Sequence, residues 1–203
     1  MTEIIKAIDD WKLVKNCCRT SMRKEHTEKE PTEEFKKKLL ISEHSPIRQI
    51  EFYWMWKGIK YWLSNEWARH KFEKTISSQR NDRQSDYDRN EARQDSPVDF
   101  VGWANEQQLI DSFRKRLCGQ ATDEARELAE DFKFELSKEY PLESNVLVPH
   151  CVYRCGCSEP HCCGLWFSFL KWCEEQKEEI DLLSIQNRYD AYNKFFKESR
   201  NGR

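Results

Sequence analysis

Arg69-His70-Lys71, a run of cationic or titratable side chains, stands shortly ahead of a hydroxyl-rich segment, Ser77-Ser78-Gln79-Arg80. Guanidinium groups present planar pairs of donors that match phosphate oxygens, and an ammonium adds a point charge. Serine hydroxyls and loop amides supply shorter donors, and Trp67, just before the triplet, is a wall for a planar ring. Together these are the donors a nucleotide or flavin phosphate site needs. A plainer role fits the same residues, a solvated helix end, because Lys and Arg favour helix C-termini.

A second group of chemically active side chains lies at 150–164. His150-Cys151-Val152-Tyr153-Arg154-Cys155-Gly156-Cys157 leads to His161-Cys162-Cys163. Four thiolates around Zn²⁺ make a structural site, and Gly156 permits a tight turn. Cys151, Cys155, Cys157 and Cys162 are the first choices as ligands, with Cys118 a distant fifth thiol. The spacing departs from paired Cys-x-x-Cys knuckles, and free cysteines are also ordinary small core residues, so both readings stand.

The chain of 203 residues is long enough for one domain with a sizeable core. Charged residues make up 34% of it, yet aromatics reach 13% and include eight tryptophans, which disordered chains lack. A net charge of −2 with both signs mixed along the chain argues against a basic face for a nucleic-acid polymer. It leaves room for a local basic pocket. No apolar run reaches the length of a membrane helix, and Met1 to Asp10 does not resemble a signal peptide. The expected location is the cytoplasm, where nine cysteines are thiols or metal ligands rather than a disulfide frame.

The elements that must position these groups follow from periodicity. Residues 9–25 read as a helix opened by Asp9 and Asp10, with Trp11, Val14, Cys17 and Cys18 at helical spacing. Thr32 is a fitting N-cap for a second helix, with Glu33 and Glu34 in its first turn. In Ile50-Glu51-Phe52-Tyr53-Trp54-Met55-Trp56 the even positions are large and apolar, the period of a strand, which Gly58 is expected to end. Residues 59–72 read as a helix closing near the triplet, and the polar stretch 80–97 as an exposed loop or lid. Helices are expected over 104–118, from Thr122 to about Lys138, from Leu165 to Trp172 and from Ile180 to Phe196, with Pro141 as a stop. The fold class is α+β: one predominantly helical domain over 1–203 with a small antiparallel sheet flanked by helices.

On these residues the chain resembles the flavin-dependent thymidylate synthases, in their compact phage-type form. That family carries an Arg-His-Arg triplet followed by Ser-x-Arg; here stand Arg69-His70-Lys71 and Ser78-Gln79-Arg80, with a spacer one residue shorter. Glu43-His44-Ser45-Pro46 matches the family's His-x-Ser/Thr-type element ahead of an apolar strand. Glu124-Ala125-Arg126 is similar to its Glu-x-Ala-Arg, one residue short. The resemblance runs in order through most of residues 4–135. Lys71 keeps the charge of the family's arginine but not its fork, and Glu66 replaces a glutamine that contacts the nucleotide.

The resemblance implies FAD as cofactor, NADPH and methylenetetrahydrofolate as co-substrates, and a pyrimidine deoxynucleotide, dUMP, as the group methylated. It implies contacts to FAD from Ser45, Arg69, His70 and Lys71, and contacts to the nucleotide from Glu66, Ser78, Gln79 and Arg80. His44 is placed near the reacting ring atoms. For the family's later arginine pair, Arg188 is the candidate catalytic member and Arg154 the candidate phosphate ligand. The family's sites lie between subunits of a homotetramer. Two alternatives remain: a divergent flavoprotein acting on another nucleotide such as dCMP, whose base offers a donor that Glu66 can accept, and a non-catalytic zinc-stabilised binding module.

Overall fold

The computed structural model describes residues 2–83 and 87–201. A four-stranded antiparallel sheet, in the order β1-β2-β4-β3, carries helices on one face. The strands are β1 (Thr2–Ile8), β2 (Glu51–Lys60), β3 (Glu73–Ile76) and β4 (Pro97–Asn105). The helices are α1 (Trp11–Ser21), α2 (Glu33–Ile41), α3 (Tyr61–Ala68), α4 (Glu106–Arg116), α5 (Asp123–Glu139), α6 (Pro141–Asn145), α7 (His150–Arg154), α8 (Leu165–Glu174) and α9 (Ile185–Asn201). The α+β architecture is the one the sequence leads to.

The period-two pattern sets the core. Phe52, Trp54 and Trp56 of β2 point inward with no exposure, and Phe100 of β4 joins them. Trp56 meets Trp67 of α3 at 4.7 Å between ring centroids, and Trp54 meets Phe132 of α5 edge-on at 5.2 Å. Leu109, Phe113 and Leu136 fill the space between. Each such aromatic removes enough apolar surface from water to contribute roughly 2–3 kcal/mol.

Local signals place most helix starts. Asp10 Oδ1 accepts from the amide of Leu13 at 2.8 Å, and Thr32 Oγ1 accepts from Phe35 at 3.2 Å, capping α1 and α2. Asn105 and Gln108 form a reciprocal capping box on α4. Thr122 departs from expectation. Its hydroxyl makes no cap bond to α5 and instead donates to Glu66 at 2.9 Å.

Several boundaries are corrected. Gly58 does not end β2: it takes φ +63°, its amide donates to Asp99 Oδ1 at 2.8 Å, and the strand continues past an irregularity to Lys60. β1, β3 and β4 are strands that the periodicity reading left unassigned. Pro141 stops α5 but opens the short α6, where a missing amide costs nothing. α7 lies inside the cysteine-rich stretch, and α9 begins at Ile185 rather than Ile180. Of the expected loop over 80–97, residues 84–86 lie outside the described residues. Among the described residues no helix is long and apolar enough to cross a membrane.

Candidate functional site

The triplet follows directly from the end of α3. Arg69 is the C-cap residue, His70 bonds back through its amide to Trp67 O at 3.1 Å, and β3 then leaves along the sheet edge. The first turn of α4 lies opposite. Gln108 ties the two together: its Oε1 accepts from the Asn105 amide at 2.9 Å while its Nε2 donates to Lys71 O. Between them opens a cleft of about 500 Å³ lined by Arg48, Arg69, His70, Lys71, Asn105 and Ser112, among others. Arg48 comes from the 3₁₀ turn Ser45–Gln49 that precedes β2.

Arg48, Arg69 and Lys71 are exposed and form no ion pair among the described residues. Three cations therefore face the cleft against one carboxylate of its lining, Asp111, which lies 3.6 Å from Arg114. His70 is different. It is half-buried, stacked on Phe72 at 6.0 Å and tilted against Trp67 at 5.5 Å. Arg116 Nε donates to its Nε2 at 2.7 Å. Burial first, then the cations of Arg116 and Lys74, push its pKa down to about 4, with Glu66 opposing them. The ring is thus a neutral donor at physiological pH, and Nδ1 is the nitrogen left to the cleft.

Arg116 is itself clamped by an ion pair with Glu66 Oε1 and a 2.9 Å bond to Glu66 O. Both Glu66 oxygens are thereby engaged, one by Arg116 and the other by Thr122. Glu66 serves the packing of α3 on α4 and α5, which leaves little of it for reading a base.

The other residues singled out by sequence lie elsewhere. His44 and Ser45 are exposed on the same 3₁₀ turn that supplies Arg48. Glu43 beside them takes φ +49° and pairs with Arg114 and with Gln107, at 2.8 Å to the latter. Ser78, Gln79 and Arg80 follow the far end of β3, on the order of 20 Å along an extended chain from Lys71. There Arg80 chelates Asp82 through bonds of 2.9 and 2.5 Å. One chain therefore does not bring 69–71 and 78–80 into a shared pocket.

Arg188 is 4% exposed and donates from all three of its nitrogens to backbone carbonyls: Val152 at 2.6 Å, Tyr153 at 3.1 Å, and Leu182. It thereby fastens α9 to the end of α7. Arg154 is exposed at the last residue of α7.

The four expected zinc ligands do not converge. Among the described residues no group of three or more His, Cys, Asp or Glu side chains is placed to hold a metal. Cys155 Sγ turns to Leu182 O at 3.9 Å, Cys162 Sγ accepts from Gly164 N at 3.4 Å, and Cys151 is buried. The reason is local. Cys155 takes the left-handed conformation, φ 56°, as it caps α7 and is exposed, whereas Cys151 is buried on the helix.

Arg48, Gln108 and Arg116 are the functional side chains that the motif reading missed. Asn105-x-x-Gln108 was legible as a capping box. The cations Arg114-Lys115-Arg116 at a helix end were also visible, but nothing in sequence says which of them turns inward.

No protein-family model matches the sequence, and no curated protein matches it. Solved structures do. A flavin-dependent thymidylate synthase from Helicobacter pylori complexed with FAD and dUMP superposes with TM-score 0.56 at 13% identity, covering 68% of this chain and 95% of that one. A second structure of thymidylate synthase X from Helicobacter pylori with FAD and dUMP gives TM-score 0.59 at 12% identity, covering 72% and 99%. The chain has the fold of a flavin-dependent thymidylate synthase. The likeness extends over nearly the whole of each of those proteins. The share of this chain outside it amounts to about a third.

Proposed function

We propose that this chain is an FAD-dependent thymidylate synthase, converting dUMP to dTMP with methylenetetrahydrofolate and NADPH. The observation that carries the reading is the cleft in which Arg48, Arg69 and Lys71, none of them held in an ion pair among the described residues, face the first turns of α4, where Asp111 is the one carboxylate among the described lining residues. A cationic set without ion-pair partners suits a diphosphate, with charge-assisted bonds from the side chains rather than from the capped N-terminus of α4. The volume, about 500 Å³, suits the phosphate-bearing part of a dinucleotide rather than all of it.

FAD supplies the redox chemistry when bound. The chain's own residues bind and orient. Arg69 and Arg48 offer forks to phosphate oxygens, Lys71 adds charge, and His70 donates a neutral hydrogen bond from Nδ1. Trp67 and Phe72 wall the histidine and keep water from its buried edge. Ser45 and His44 belong to the turn that delivers Arg48 and are exposed there, which leaves them as candidates for the flavin and the reacting ring. We place the nucleotide at Ser78, Gln79 and Arg80 of a second copy, because the two motifs stand at opposite ends of β3. Composite sites require at least a second copy, and a homotetramer is the assembly we propose. Arg154 remains an exposed candidate for the nucleotide phosphate.

The alternatives have less behind them. Reading dCMP through Glu66 needs a carboxylate that Arg116 and Thr122 already hold. A zinc-stabilised binding module needs a ligand set, and the described residues supply none.

The test is an absorption spectrum of the purified protein with FAD, titrated with dUMP and with dCMP. The expected outcome is a yellow protein whose flavin band shifts with dUMP. Arg69→Ala weakens FAD binding about tenfold or more, as loss of one charge-assisted pair implies. Colourless protein that does not take up FAD defeats the proposal.

A further inference from the structure

We propose that Cys118 and Cys163 form a peroxide-sensitive dithiol, in which Cys163 is oxidised first and Cys118 closes the disulfide. The site is separate from the cationic cleft and does not rest on the flavin reading.

Cys118 is buried just beyond the end of α4. Cys163 comes from the cysteine-rich stretch and is half-buried. It lines a cleft of about 250 Å³ together with Leu117, Gly119, Arg126 and Tyr192. The two cysteines approach because residue 119 is glycine. A β-carbon there would lie 2.9 Å from Cys163 Sγ and 3.0 Å from its Cβ, so a larger residue would push Cys163 off its seat. The thiols interact directly: burial is the first cause that raises the Cys118 pKa, and contact with Cys163 is among the others.

The two sulfurs are unequal in access. Cys163 faces a cleft that a small oxidant can enter, whereas Cys118 is 5% exposed. Arg126 stands on the wall of the same cleft, where a cation favours a thiolate, although Asp123 at 2.7 Å and Glu130 at 3.7 Å share its charge. Cys151, the third thiol nearby, is pushed up to about 12 by burial and remains protonated.

The chemistry balances with hydrogen peroxide as oxidant. The Cys163 sulfur attacks one peroxide oxygen, the O–O bond breaks, and the departing hydroxide takes the thiol proton and leaves as water. Cys163 is now a sulfenic acid. The Cys118 sulfur attacks that sulfur, the S–S bond forms, the S–OH bond breaks, and a second water leaves with the Cys118 proton. The dithiol has lost two electrons and peroxide has gained them.

The experiment exposes the reduced full chain to hydrogen peroxide, blocks remaining thiols by alkylation, and maps cysteine peptides by mass spectrometry. The expected product is a linked peptide pair carrying Cys118 and Cys163, reversed by dithiothreitol. In Cys118→Ser, Cys163 accumulates a sulfenic acid trapped by dimedone. In Cys163→Ser, Cys118 stays alkylatable after the same exposure. Wild-type protein in which both cysteines still take up alkylating agent overturns the proposal, as does Cys163 found linked to Cys157 or Cys162.

Discussion

Arg116 donates from Nε to Nε2 of His70 across 2.7 Å, and that one bond decides what His70 offers the cleft. A ring nitrogen that accepts carries no proton, so the ring's hydrogen belongs on Nδ1. Arg116 contacts neither the cleft nor any substrate position; it positions His70.

Replacing Arg116 by Met removes this donor and one of the cations beside the ring. The expected result is a His70 pKa that rises from about 4 toward the ordinary 6.5, helped by Glu66, read by NMR titration of the imidazole. The sign follows from proton uptake. Between pH 6.5 and about 4 the unfolded chain binds a proton that folded His70 refuses, so His70 contributes stability that is complete above 6.5 and lost as pH falls toward 4. In Arg116→Met the acid-side loss shrinks. An unchanged His70 titration sinks the positioning role.

Gln108 offers a second handle on the same cleft. Gln108→Leu removes the capping bond to Asn105 and the donor to Lys71 O. A cap costs about 1 kcal/mol. The fold should survive with a slightly lower urea midpoint, while FAD affinity falls further than that figure implies, because the 69–71 turn loses its tie to α4. Equal FAD affinity in the variant would show that the turn is held by other means.

How much of this was legible can be argued residue by residue. The inward set Phe52, Trp54 and Trp56 announced β2, and Asp10 and Thr32 announced their helices, because period and caps are local properties. β4 carries the same period in Val98, Phe100, Gly102 and Ala104, but Gly102 interrupts the apolar pattern and hides it. β1 is masked by an irregularity between Ile4 and Lys6 that leaves Ile5 48% exposed. At the site, the triplet was visible as chemistry. Its partners Arg48 and Arg116 were not, since their roles depend on which way a surface cation turns once the sheet is assembled. Arg188 shows the converse: an arginine between polar neighbours in sequence becomes one of the most buried cations in the fold.

Arg188→Ala tests that burial. Its guanidinium satisfies the carbonyls of Val152, Tyr153 and Leu182, and truncation leaves these acceptors unmet beside a cavity. The expected cost is about 3–5 kcal/mol, the range for breaking a buried charged network. Thermal unfolding should report it as a large fall in Tm. A fall in turnover at unchanged Tm would instead return Arg188 to the chemistry.

Glu106 tests the opposite case, a buried polar group that the fold does not need. It opens α4 with no exposure, and among the described residues neither carboxyl oxygen has a hydrogen-bond partner. Burial holds its pKa well above the usual carboxylate range, with Glu143 adding to the rise and Lys133 opposing it. Below pH 4.5 both folded and unfolded chains keep the proton; above it the unfolded chain releases one that folded Glu106 retains, so stability falls as pH rises. Glu106→Met keeps the volume and removes the unmet polar group. It should raise stability by about 1–3 kcal/mol at pH 7 and by less at pH 4, measured as urea midpoints. Lys133 keeps its 2.6 Å bond to Ser144 O in the variant. A loss of stability of comparable size would mean that Glu106 is ionised and paired with Lys133 in the folded protein.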